Sequence, residues 1–162
     1  MILCGIDPGL TGAIAFIHVD HGLIAVDDLP TMAIDVAGPK TTVKREIDVQ
    51  GLRALVHKWV PADTSSMFAM EHASAMGMPG LQAATSLAAT KASIMAVLRL
   101  SNFDVKRIPP QTWKRFYGLG SDKSECLAIA RKLFGMTGFE RAKDHNRAES
   151  ALIAHYVMRT MS

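Results

Sequence analysis

The chain opens with an apolar run, Met1 to Ile6, that is cut by Asp7-Pro8-Gly9 and followed by a second apolar run from Gly12 to Val19. Two short apolar segments joined by a Pro/Gly turn read as a β-hairpin, so the fold must begin with a sheet. Leu23 to Leu29 supplies a third strand. Pro30, Gly38, Pro39 and the stretch Lys40 to Lys44 then read as an exposed, polar loop. Asp48 to Val60 spaces Val49, Leu52, Leu55, Val56 and Trp59 at helical intervals, with Asp48 as N-cap and Pro61 as terminator.

Beyond this point strands and helices alternate. Met67 to Met70 reads as a buried strand running into Glu71. Leu81 to Leu100 is composed almost wholly of Ala, Ser, Thr and aliphatic residues, which predicts a long, largely buried helix. Phe103 to Ile108 is a short strand stopped by Pro109-Pro110, and Gln111 to Tyr117 is a helical turn ending at Gly118. Ser121 to Phe134 repeats Cys126, Leu127, Ile129, Ala130 and Leu133 on one face, with Gly135 as its stop signal. A last helix runs from about Asn146 to Met161. The order β-β-β-α-β-α-β-α-α predicts an α/β fold, a mixed five-stranded sheet flanked by helices, over a single domain spanning 1–162.

Composition narrows the class further. Hydrophobic residues make up 49% and charged residues 20%, which is ordinary for a globular protein and unlike a disordered one. The net charge of +3 permits a polyanionic partner without requiring one. Cys4 and Cys126 lie in apolar runs without C-x-x-C spacing, against a disulfide framework or zinc knuckle and in keeping with a reducing, cytoplasmic setting. Charged residues and His interrupt the apolar stretches before the roughly 18 residues of a membrane span, so no membrane partner is expected.

Three places carry carboxylates that could do chemistry. Asp7 ends the first strand and Glu71 ends a separate apolar strand; singly, each is also what a turn or a strand exit would use. Lys143-Asp144-His145-Asn146-Arg147-Ala148-Glu149 is a polar helix start leading into Ala151 to Ala154, where Asp144 could simply be a cap. Glu149, however, borders the face that must pack on the sheet, where an ionised group needs a partner. Hard oxygen ligands without a Cys or His cluster at zinc spacing favour Mg²⁺ or Mn²⁺, and a pair of such ions about 4 Å apart can activate water and stabilise the leaving oxygen of a phosphodiester.

Gly5-Ile6-Asp7-Pro8-Gly9, Met70-Glu71, the Gly118-Leu119-Gly120-Ser121-Asp122-Lys123-Ser124 turn and the helix start from Asp144 to Ala154 resemble, in order and spacing, the RuvC-like Holliday junction resolvases, particularly phage-type ones. The resemblance implies an RNase H-like fold and a homodimer that nicks two strands of a four-way junction symmetrically, with Mg²⁺ and with Asp7, Glu71, Asp144 and Glu149 as catalytic, metal-binding carboxylates. Lys114 and Lys123 are the basic residues nearest to positions that such enzymes use beside the scissile phosphate.

Two departures from the family pattern stand out. Bacterial members carry two aspartates three residues apart on the final helix, whereas here that spacing pairs Asn146 with Glu149. Asp144, His145 and Asn146 are therefore all candidates for the fourth ligand, with Asp144 expected. Those members also place an aromatic soon after the strand-end Glu to open the junction; here Met76 or Met78 is the candidate wedge.

Lys106, Arg107, Lys114, Arg115, Lys123, Arg131 and Lys132, interleaved with Trp113, Phe116 and Tyr117, form either a solvated surface or a DNA-binding patch with stacking aromatics. The loop from Thr41 to Arg45 is a further candidate contact, and the helix Leu81 to Leu100, with its small residues, is the expected dimer interface. Competing functions are a ribosomal RNA-processing nuclease of the same superfamily, a non-catalytic branched-DNA-binding protein and, from the hairpin alone, the phosphate loop of actin-like kinases, for which the chain is too short.

Overall fold

The computed structural model describes residues 1–35, 38, 44–72, 80–120 and 122–160, with the backbone alone at residue 123. Strands β1 (Ile2–Asp7), β2 (Ala13–His18) and β3 (Gly22–Asp28) form an antiparallel meander, while β6 (Ser66–Glu71) and β7 (Val105–Ile108) add in parallel on the other side of β1. The resulting order is β3-β2-β1-β6-β7. This is the mixed five-stranded sheet expected from the sequence.

Because β1 and β6 are central and parallel, they are covered on both faces and read as continuous apolar runs rather than alternating ones. On one face Cys4, Ile6, Ile14, Phe16, Phe68 and Met70 pack with residues of α1 (Val49–Trp59) and α2 (Leu81–Leu100). On the other, Leu3, Ala15 and Ala69 meet α3 (Pro110–Phe116), α4 (Lys123–Phe134) and α5 (His145–Thr160). The helix ends follow their local signals. Asp48 accepts a hydrogen bond from the Gly51 amide at 2.9 Å, Asp122 accepts one from Ser124 at 2.8 Å, and α4 stops at Gly135, whose φ of 84° suits glycine.

Three expectations need correction. The segment read as a loop holds a separate two-stranded sheet, β4 (Thr31–Ala33) with β5 (Arg45–Ile47), because three-residue strands leave no apolar run to detect. The turn after Pro109-Pro110 is a full helix, α3, with proline at its first position. The helix α2 has its expected bounds but is not largely buried: Ile94, Met95, Val97 and Leu98 enter the core, whereas Leu81 is 84% exposed. By length and a mean hydropathy of 1.2, α2 would suffice to cross a membrane, although here its C-terminal half belongs to the sheet's own core.

α5 lies close against β1. A Cβ at Gly5 would run into the backbone carbonyl of Ser150 and the amide nitrogen of Ala154. Gly5→Ala should therefore destabilise the protein by about 3 kcal/mol, seen as a lower urea midpoint. A loss below ~0.5 kcal/mol would show that α5 can move off the strand freely.

Candidate active site

Parallel pairing sets Ile6 of β1 opposite Met70 of β6, so the next residues, Asp7 and Glu71, leave the sheet side by side at the same end. The turn after Asp7 closes tightly, with the Gly12 amide donating to the Gly9 carbonyl at 3.0 Å. Gly12 has no room for a side chain, since a Cβ there would meet the Asp7 carbonyl. Above this end lies the start of α5, where Asn146 and Glu149, three residues apart, share one helix face. The Asn146 side-chain amide donates to the Thr11 carbonyl at 2.6 Å and tethers α5 to the turn.

These elements enclose a cleft of about 520 Å³ lined by Asp7 to Gly12, Glu71, Asn146 and Glu149, with Ser86, Thr90 and Lys91 from α2 and Lys114 from α3. Three of the four expected carboxylates thus meet in one place. Glu149 is buried, at 5% exposure, and its Oε1 lies 3.6 Å from the Lys114 ammonium and 3.8 Å from the Cys126 thiol. Burial, with the Glu149 charge in second place, pushes that thiol up to about 12, so it faces Glu149 as a neutral S–H donor. Burial likewise raises the Glu71 pKa, and the Glu149 charge adds to this, while a hydrogen bond from the Trp113 indole to Oε2 at 2.9 Å works in the opposite direction. Lys91 is pulled below its ordinary value by burial, with Glu71 partly countering.

The structure does not bring Asp144 to this cleft. Five residues before Glu149, it sits about 140° around the helix from it, and both of its oxygens are engaged by Arg141: Oδ1 with Nη2 at 2.6 Å and Oδ2 with the backbone amide at 2.7 Å. Burial alone would raise its pKa, but the Arg141 hydrogen bonds and charge outweigh burial and lower it. The position expected of Asp144 is filled by Asn146. His145 does not line the cleft either.

Among the basic residues, Lys106, Arg107 and Arg115 are exposed and Lys114 is in the cleft, whereas Arg131 is committed to the Phe139 carbonyl at 2.8 Å. The stacking role expected of Trp113 fails because the ring is fully buried. Tyr117 bonds instead to the Leu152 carbonyl at 3.1 Å and sits 2.8 Å from His155 Nδ1, which leaves Phe116, 47% exposed, as the accessible aromatic of the three. The Lys123 side chain, Met76, Met78 and residues 41–43 lie outside the described residues; Lys44 and Arg45 border a second, larger groove beside α2. Lys91 was missed from sequence, although a lone cation midway along an apolar helix is a signal for a polar site.

Among the described residues no three His, Cys, Asp or Glu side chains already stand as a metal cage. The donor set nevertheless suits a hard divalent cation, because it consists of oxygen ligands alone and the Lys114 ammonium occupies the place of a counter-cation at Glu149.

No protein-family model matches the sequence, and no curated protein matches it significantly. Solved structures do match. A Thermus thermophilus RuvC in complex with a Holliday junction substrate aligns over 98% of this chain and 95% of its own, with a TM-score of 0.63 at 15% identity. A second T. thermophilus RuvC structure aligns over 99% and 97%, with a TM-score of 0.56 at 17% identity. The chain therefore has an RNase H-like fold. Within that class its architecture is that of RuvC.

Two stability effects follow. A carboxylate whose folded pKa is raised contributes stability below its unfolded pKa of about 4.5 and loses it as pH rises through the folded value. Glu71→Gln should therefore melt higher than the wild type at pH 7, with the gap closing as the pH falls to 4. Asp144 has a lowered pKa and contributes above about pH 4. Asp144→Asn should lose about 2 kcal/mol at pH 7, with the loss shrinking in acid. Melting curves of both variants across pH check the signs, and Glu71→Gln melting lower at pH 7 would contradict the first.

Proposed function

We propose that the chain is a divalent-metal-dependent endonuclease that cuts four-way and other branched DNA. The observation that carries this reading is the convergence of Asp7, Glu71 and Glu149 in one cleft beside Lys114, on a fold shared with RuvC. A RuvC structure described as a complex with a Holliday junction substrate supports branched DNA as the substrate class.

Asp7, Glu71 and Glu149, with the Asn146 amide at the rim, would hold Mg²⁺, or Mn²⁺ in its place. Such an ion, when bound, supplies an activated water and charge stabilisation at the leaving oxygen of the phosphodiester. The chain's own groups do the rest. The turn from Gly9 to Gly12 forms one wall of the cleft, with Leu10 and Thr11 between its two glycines, against which a sugar-phosphate strand can lie. Lys114 offers its ammonium to an arriving phosphate oxygen when it gives up Glu149, and Lys91, from α2, lines the same cleft. The exposed Lys106, Arg107 and Arg115 extend the positive surface beyond the cleft, as phosphate neutralisation requires. A junction presents two equivalent strands, so a homodimer with one cleft per strand accounts for symmetric nicking. The partly exposed N-terminal half of α2, rich in small residues, is the proposed contact.

The test is cleavage of four-way, duplex and single-stranded DNA, and of an RNA stem-loop, with Mg²⁺, Mn²⁺ or EDTA. Paired nicks in the junction, abolished by EDTA, are expected. Asp7→Asn, Glu71→Gln and Glu149→Gln should each lower the rate by at least ~100-fold while junction binding persists. Asp144→Asn should keep its rate per folded molecule, and Asn146→Asp should lower the Mg²⁺ concentration needed for half-maximal rate. Preference for the RNA stem-loop would move the reading to an RNA-processing nuclease, and full activity in EDTA would remove the metal from it.

A further inference from the structure

We infer that Trp113 is a positioning residue, whose indole N–H fixes the Glu71 carboxylate in the orientation that receives the cation. The inference deepens the proposed function and rests on that reading of Glu71.

The indole Nε1 is a donor only, and it lies 2.9 Å from Glu71 Oε2. Trp113 is fully buried and packs in the cluster that includes Leu3, Ala69, Cys126 and Leu152. The ring is therefore held among side chains of the sheet, α4 and α5. A donor held this firmly imposes its direction on a partner that has several rotamers of its own. Glu71 needs such a restraint: it stands at the last position of β6, and its neighbours in the cleft include another carboxylate, Glu149.

The next residue on the same helix repeats the arrangement. Lys114 reaches Glu149, at 3.6 Å, and its ammonium lies 5.2 Å from the Trp113 ring centroid. Two consecutive residues of α3 thus contact carboxylates from two other elements, one on β6 and one on α5. Trp113 does so from behind the cleft wall, without lining it. A bulky side chain used only to fill the core would need no donor aimed at a carboxylate, and phenylalanine would then replace it without effect on the site.

The chain has two tryptophans, Trp59 and Trp113, so ¹⁵N-labelled protein gives two indole N–H resonances, each assignable by substitution. Glu71→Gln keeps an acceptor for Trp113 and Glu71→Met removes it. Hydrogen exchange of the Trp113 indole should quicken on the order of tenfold in Glu71→Met and much less in Glu71→Gln. The Trp59 indole, bonded to Asp27 Oδ2 at 3.0 Å, should be unaffected and serves as the control. Calorimetric titration with Mn²⁺ alone, without DNA, then measures the consequence: Trp113→Phe should weaken binding on the order of tenfold. Unchanged Mn²⁺ affinity in a folded Trp113→Phe, alongside weakened affinity in Glu71→Gln, would overturn this inference and leave the proposed site intact. Unchanged affinity in Glu71→Gln would overturn both. If Trp113→Phe does not fold, the exchange comparison decides, and equal indole exchange in all three Glu71 forms would overturn the inference.

Discussion

Gly5 lets the backbone of α5 come down onto β1 at Ser150 and Ala154, and the acidic end of the sheet is built on that approach. Immediately before the crossing, Glu149 is carried over the strand ends where parallel pairing has already set Asp7 beside Glu71. The Asn146–Thr11 hydrogen bond then closes the helix onto the turn. A side chain at Gly5 would lift α5 from the strand, and three carboxylates from three elements would no longer share a cleft.

Gathering carboxylates in this way works against stability. Burial and the Glu149 charge make ionised Glu71 unfavourable, and Glu149 is itself almost wholly removed from water. The surrounding groups answer this in part: Lys114 opposes Glu149, Cys126 offers it an S–H, and Trp113 donates to Glu71. Each is a single contact from α3 or α4. Carboxylates gathered in this way are suited to taking up a cation, since removing charges of one sign from water is costly until a charge of the opposite sign is bound.

Sheet order and most helix bounds were legible in the sequence because they rest on apolar periodicity and on local stop signals, such as Asp48, Pro109-Pro110 and Gly135. The pair β4–β5 was not, since its register depends on partners separated by a loop, Thr31 with Ile47 through Ala33 with Arg45, and on no apolar run. Nor was the exposure of α2, because Ala, Ser and Thr suit a packed interface and a bare helix face equally well. At the site, the strand-end carboxylates could be read directly from where apolar runs stop. The choice between Asp144 and Asn146 turned on helix phase: a spacing of three from Glu149 keeps a face and a spacing of five leaves it. Arg141, which holds Asp144 away, gave no sign of that role in sequence. Trp113 misled for a related reason, as a tryptophan among lysines and arginines resembles a stacking platform until its burial is seen.

The central claim is that Asp7, Glu71 and Glu149 together hold a divalent cation. Anomalous scattering from crystals soaked in Mn²⁺ tests it most directly. The account predicts Mn²⁺ density in the cleft, bounded by those three carboxylates and the Asn146 amide, with Lys114 withdrawn from Glu149 and Asp144 still held by Arg141. Mn²⁺ bound at Asp144 or elsewhere, with the Glu149–Lys114 contact intact in a crystal form that leaves the cleft open, would contradict it.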